Sequence, residues 1–314
     1  MFEGVQYKSH KSLQYAKTEK KRKVLTRSQR EARRAYMIIL PYYIYIALWS
    51  LIPLLIGFFL GFTEFNGLGG VPKWVGLANF KTFFATREYL VLLWRQIWIG
   101  MLCLFTNTIF SFILGLALNV KSRIRGFFRT AVYVPSVAAV STTTAVVVAL
   151  LNPVDGGLNK FLTLIGAKPV VWNYSQFWMV FWIVVYFVWR NIGPAAIIWL
   201  GGLQSIDPSL YEAARVDGAK KWQEIRYITI PGLKFIAAYI ILTGVINVMQ
   251  MFDVVMFISR GNPYGKTDVL MYRIYRDGIQ SFNMGMAGAE SIILGMITLV
   301  FALLYYKLIV RGEN

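Results

Sequence analysis

The chain of 314 residues is 57% hydrophobic and 16% aromatic, and its formal net charge is +18. Only 15% of its residues are charged, against about a quarter in ordinary globular domains. This excludes a water-soluble fold around one core and indicates an integral membrane protein. The basic residues cluster beside apolar runs, the pattern of topology signals and lipid-headgroup contacts rather than of a nucleic-acid-binding face.

Residues 1–35 are polar and hold eleven Lys or Arg. No small-residue cleavage site follows at signal-peptide spacing, so a retained cytoplasmic tail is expected. Residues 27–36, RSQREARRAY, are expected either as a basic amphipathic helix on the inner leaflet or as a solvated tail whose charges only fix orientation. The only histidine, His10, lies in this tail. A histidine-metal cluster and a histidine triad are therefore excluded, and no metal is expected.

A helical span needs about 20 apolar residues. Six runs qualify between residues 36 and 310, which predicts an all-α protein with six transmembrane helices. The first is 36–62, with Pro41 and Pro53 as expected bends. A polar loop leads to 96–120, and the basic turn 121–129, KSRIRGFFR, leads to 130–151, which contains Pro135. A second polar loop, 152–175, carries Asn-Pro and Asp-Gly-Gly turn signals. Then come 176–200, interrupted by Arg190, and finally 233–258 and 286–310. The single cysteine, Cys103, lies in an apolar run; buried packing is expected and an intrachain disulfide is excluded.

Between the fourth and fifth runs lies a polar stretch, 207–231, DPSLYEAARVDGAKKWQEIRYITIP. Asp207 can cap free N–H groups and Pro208 suits the first helical position. Leu210, Ala213, Ala214 and Val216 follow at helical spacing, and Gly218 supplies a left-handed end. Trp222, Ile225 and Ile228 begin a second amphipathic set that Pro231 is expected to close. Two short helices with a glycine corner are predicted. Such order between spans points to a docked partner, the bland alternative being a chance amphipathic connector.

Charge orients the chain. Assigning the N-terminus, 121–129, 203–234 and the C-terminus to one side gives that side 22 Lys and Arg, against 9 for segments 63–90, 152–175 and 260–285. The positive-inside rule then places both termini and the polar stretch in the cytoplasm.

Glu212-Ala213-Ala214, Gly218 four residues later, Ile228 and Pro231 resemble the EAA signature of permease subunits in binding-protein-dependent ABC importers. One departure is Ile230 where that family usually has Leu, a swap that keeps bulk and apolarity. Residues 129–136, 151–153, 189–193, 202–208 and 282–289 look, in that order, like landmarks of the carbohydrate branch, the maltose and glycerol-phosphate type. The resemblance covers roughly residues 36–310 and implies a MetI-like bundle. It further implies a loop 203–232 that serves as coupling helix, with Tyr211, Glu212, Ala213, Ala214, Asp217 and Gly218 facing an ATPase. The implied partners are a second homologous permease, two ATPase subunits and an extracellular sugar-binding protein, in a bacterial cell membrane.

Catalytic chemistry has nothing to rest on. Residues 261–267, GNPYGKT, place three residues before the Gly-Lys pair, where a phosphate loop needs four. No cofactor is expected in this chain, and ATP and magnesium are left to a partner. Polar groups in spans are costly and usually face the bundle interior or a water path. Asn247, Gln250 and Asp253 follow at intervals of three on the fifth run, with Asn107 and Ser141-Thr142-Thr143-Thr144 adding neutral groups at mid-depth. Tyr133, Trp182, Tyr186 and Trp189 are rings on which a sugar could stack. Each has a structural alternative, since amides and hydroxyls also join helices and aromatics pack or face lipid. Arg190 is expected to pair with a partner subunit or a backbone end.

With Asp253 and Glu290 placed near outer ends, no acid lies deep in a predicted span, which argues against a proton-driven carrier. The same architecture with a polyamine, peptide or phosphate-ester cargo, and a channel or scaffold without ATP coupling, remain the rival readings.

Overall fold

The structure, a computed structural model, describes residues 27–120 and 124–310; residues 1–26, with His10, lie outside it. The chain divides into two compact units, 1–56 and 57–314. In the first unit, helix α1 (Arg27–Ile46) begins nine residues before the predicted span and passes through Pro41. Its first turn carries an ion pair between Arg27 and Glu31, 3.1 Å. A π turn, Ala47–Leu51, precedes α2 (Ile52–Leu60). Pro53 lacks an N–H, and the wider turn just before it absorbs the missing bond.

The second unit opens on a two-stranded antiparallel ribbon, β1 (Thr63–Glu64) and β2 (Lys73–Trp74), with Thr63 opposite Trp74. The predicted polar loop is thus partly ordered, and α3 (Ala78–Ala85) follows. Helix α4 (Arg87–Leu118) starts nine residues earlier than predicted, because Thr86 is extended and leaves Arg87 as the first free helical position. The third predicted span is not one straight helix. It is α5 (Arg125–Val137) and α6 (Val140–Leu150), bent by 93° at Ala138 and Ala139. Within the second loop α7 (Gly157–Leu164) forms, and α8 (Gln176–Ser205) follows as a 30-residue helix.

The polar stretch supplies α9 (Pro208–Val216), α10 (Lys221–Glu224), a π turn Ile225–Thr229 and α11 (Ile230–Gly232). Pro231 therefore sits at a helix start and does not close the stretch. After a 68° bend, α12 (Lys234–Met249) runs for 16 residues, nine short of the predicted end. A π turn Val255–Ser259, α13 (Leu270–Tyr275) and a π turn Arg276–Gln280 lead to α14 (Met284–Val310). Among the described residues four helices are long and apolar enough to cross a membrane, or up to six if each bent pair counts as one span.

Helices α4 and α8 form the most extensive pair, and the main core, with Ile99, Cys103, Met179, Ile183, Val248 and Ile293, gathers around them. Cys103 is buried, as its apolar setting predicts. Polar side chains stitch the helices where hydrocarbon offers no water. Trp199 donates to Ser111 Oγ at 3.1 Å, and Gln96 donates to the Val248 carbonyl at 2.7 Å while accepting from Met271 N–H at 3.2 Å.

Candidate functional site

The hairpin is built from its caps inward. Asp207 is extended, and its carboxylate accepts the Ser209 N–H at 2.9 Å, which holds that carboxyl below its ordinary value. Gly218 has φ +79°, and Ala219 N–H donates back to the Ala214 carbonyl at 2.9 Å, closing α9 with a left-handed corner. Lys220 N–H donates to Gln223 Oε1 at 2.7 Å and starts α10. Two cross-links fix the corner angle: Arg215 donates to Glu224 at 2.9 Å, and the Tyr211 hydroxyl lies 3.0 Å from Thr229 Oγ1. The Glu224 hydrogen bond pushes the Arg215 guanidinium still higher than its ordinary value.

The hairpin presents apolar side chains among exposed charges such as Glu212, Arg215, Asp217 and Lys221. No residue of α9 or α10 is buried, and Val216 is 87% and Trp222 59% exposed, with Leu210 and Tyr227 also outward. Glu212, Ala213 and Asp217 are exposed, while Tyr211 and Ala214 are half-buried. The six residues expected to face a partner thus lie on one short, internally braced element. A rigid element with outward aromatic and aliphatic side chains is the composition of an interaction surface.

The six path candidates do not form one site. Asn247 and Gln250 are exposed at the end of α12, one turn apart. Asp253 is not on their helix. It lies beyond Met249 and accepts its neighbour's N–H, from Val254, at 2.9 Å. The place expected for it on one helix with Asn247 and Gln250 is therefore corrected. Tyr186 is 2% exposed and its hydroxyl lies 2.7 Å from Thr143 Oγ1, so it packs α8 on α6. Trp189, 6.0 Å from Tyr186 and 44% exposed, lines a groove of about 910 Å³ walled by Trp98, Leu102, Phe110 and Val185. Tyr133 lines a different groove beside Arg129.

Arg190 meets a backbone end, as one of its two readings had it. Its Nη1 donates to the carbonyls of Pro135 and Ala138, at 3.2 and 2.8 Å, and so caps α5 where it breaks from α6. Sequence reasoning missed an ionic cluster between the start of α4, α13 and the segments that flank α13. Arg273 donates to Glu88 at 2.7 Å and to Asp277 at 2.9 Å, Arg276 donates to Asp268 at 3.0 Å, and the Tyr89 hydroxyl donates to Asp277 at 3.3 Å. Burial pushes the Asp268 carboxyl up, against the pull of Arg276 and Arg273. Glu290, expected near an outer end, is buried in α14. The Arg273–Asp277 spacing of four was the one local signal; the other members are up to about two hundred positions apart.

The chain is similar to known proteins. The chain is 27% identical over 285 residues to the trehalose/maltose transport system permease protein MalF of Thermococcus litoralis, across 88% of this chain and 94% of that one. It is 29% identical over 223 residues to the lactose transport system permease protein LacF of Rhizobium radiobacter, across 68% and 70%. A chain in the crystal structure of a bacterial ABC transporter that imports the acidic polysaccharide alginate superposes with a TM-score of 0.82 at 26% identity, over 92% of this chain and 100% of that chain. The model of the family described as binding-protein-dependent transport system inner membrane component matches residues 94–311, so the hairpin, the broken third span and the ionic cluster all fall within or beside it, and the chain belongs to that family.

Proposed function

We propose that this chain is the membrane-spanning permease of an ATP-driven importer for a carbohydrate delivered by an extracellular binding protein. The observation that carries the reading is the hairpin of α9 and α10, braced internally and with Leu210, Val216, Trp222 and Tyr227 exposed among its charges. In this reading both termini and the hairpin are cytoplasmic, following the charge bias. Two ATPase subunits grip the α9–α10 pair on each permease, the second being a homologous chain. Closure of the ATPases on ATP moves the hairpin, and α11 and the bend at Leu233 pass that motion to α12. The chain itself holds no nucleotide and performs no chemistry; it presents differential contacts in two states, which is what a population shift requires. The carbohydrate assignment is supported by relatives named for trehalose, maltose, lactose and alginate transport. Asn247 and Gln250, exposed at the end of α12, are the amides proposed to line the path, since sugars present hydroxyls that amides satisfy.

Purification with the neighbouring gene products, followed by sugar-stimulated ATP hydrolysis in liposomes, tests this with neutral and acidic oligosaccharides side by side. Glu212→Lys reverses charge on the exposed face of α9. It is expected to abolish sugar-stimulated hydrolysis while the complex still assembles. Full uptake by that variant would remove the coupling assignment.

A further inference from the structure

We propose that loop 259–268 is a rigid knob that docks on an acidic face of the extracellular binding protein, with Tyr264 as anchor and Arg260 and Lys266 as its charges. The inference rests on the importer reading and its orientation, which put this loop outside. Its side chains sort themselves by position: Arg260, Asn262, Tyr264 and Lys266 are exposed, while Gly261, Pro263, Thr267 and Asp268 are buried. The tip is therefore built outward, and Tyr264 is 77% exposed.

The loop is held from beneath. Arg95 of α4 donates to the Gly265 carbonyl, and Arg276 holds Asp268 at 3.0 Å. Inside the loop, Asn262 N–H donates to the Ser259 carbonyl at 2.8 Å and Lys266 N–H to the Pro263 carbonyl at 2.9 Å. This keeps Arg260 and Tyr264 at φ +50°, where glycine would sit without strain. The Tyr264 ring covers no core. It meets Tyr174, itself 70% exposed, edge-on at 6.1 Å, and the two hydroxyls share a hydrogen bond of 3.1 Å. Holding two rings in the open on a strained backbone gains nothing inside the molecule, which points to a contact outside it. Rings fixed in advance lose little freedom on docking, and Tyr and Arg dominate protein contacts.

Charge names the partner. Neither Arg260 nor Lys266 is ion-paired among the described residues, and the one acid of the loop, Asp268, is turned inward on Arg276. The positive-inside rule works against basic residues in outer loops, so two unneutralised charges at an outer tip call for an acidic surface. The cargo alone does not fit, because small molecules are taken into concave sites and this one protrudes. Nor do the chain's undescribed residues reach it. Residues 121–123 follow the far end of α4, about 35 Å along that helix from Arg95. Residues 311–314 follow the far end of α14, whose first turn lies against Gly278, and the charge bias puts 1–26 on the opposite side.

The test is biolayer interferometry of the extracellular binding protein, purified from among the neighbouring gene products, on the full complex in nanodiscs. Tyr264→Gly removes the ring at a position glycine adopts without strain, so the loop keeps its shape. It is expected to weaken binding about tenfold, mainly through faster dissociation. Arg260→Glu combined with Lys266→Glu is expected to slow association about tenfold at low salt and less at high salt. Tyr264→Phe, which keeps the ring and gives up one exposed hydrogen bond, is expected to stay within about threefold of wild type. Wild-type binding by either Tyr264→Gly or the double reversal overturns the proposal and leaves the importer reading standing; no binding to the wild-type complex overturns both. Oligogalacturonate that binds the wild-type complex but not Tyr264→Gly also overturns it, because the knob then takes acidic sugar. So does loss of the second permease from Tyr264→Gly, since the ring then meets a subunit.

Discussion

Replacing Gly193 with alanine probes how α5 is held against α8. A Cβ at that position would lie 2.0 Å from the Val132 carbonyl oxygen and 2.7 Å from its carbon. An ordinary contact is roughly 3.5 Å, so the two backbones must part by about 1.5 Å, and no side chain can rotate to spare them. One turn earlier on α8, Arg190 reaches Ala138 O at 2.8 Å and Pro135 O at 3.2 Å; the same displacement takes both beyond hydrogen-bond range. Overpacking of this kind costs about 1–3 kcal/mol, and losing charge-assisted bonds adds about 1.5–3 kcal/mol. Together these correspond to roughly 10 °C in Tm for a chain of this size. A thermal ramp read by size-exclusion chromatography on the purified complex measures it. Gly201→Ala on the same helix is the control, because nothing lies within 4 Å of its Cβ position, and it is expected to be neutral or stabilising by up to about 1 kcal/mol. A Gly193→Ala variant melting with wild type, or both glycine variants falling alike, refutes the packing argument.

Gly218 has open space around it but φ +79°, so its substitutions are expected to report backbone strain alone. Gly218→Asn, which tolerates the left-handed region, should retain most sugar-stimulated ATP hydrolysis, and Gly218→Val should lose it; equal rates contradict the corner. Asn247→Ala is expected to weaken uptake with assembly intact, since Asn247 is exposed, and a variant that fails to assemble supports the packing alternative. The Asp207 carboxyl is held below its ordinary value by Ser209 N–H. Its cap therefore persists at all pH above the usual carboxylate range and is lost only as pH falls below about 4. The ratio of Asp207→Asn to wild-type stimulated hydrolysis should stay constant from pH 5 to 8; a drift across that window contradicts the cap.

The hairpin was legible because its instructions are local. Asp207-Pro208 starts a helix and Gly218 ends one through properties of the residues themselves. The breaks in the third and fifth spans were not, because their causes lie far away in the chain. After Val137 no glycine or proline marks a stop; Arg190, more than 50 positions on, satisfies the carbonyls of Pro135 and Ala138 that the end of α5 leaves free. Helix α12 ends inside a run that, apart from Gln250 and Asp253, stays apolar to Ile258. There the carbonyl of Val248 is taken by Gln96, 152 positions earlier. The ionic cluster was hidden for the same reason: Glu88 and Asp268 gain their meaning only from who folds beside them. For the path residues, helical spacing gave Asn247 and Gln250 a shared face correctly, and failed at Asp253 because it assumed a helix that tertiary bonds had already ended.

The carboxamide of Gln96 acts as a rivet. Its donor and acceptor are both committed, to Val248 and Met271, so three stretches of chain must travel as one block. A stroke that opens a passage cannot be shared out evenly along the bundle; it has to be taken up at joints outside the block. Along the chain toward Val248, the 68° elbow at Leu233 stands between the hairpin and that block, so a motion entering on that side meets the elbow first.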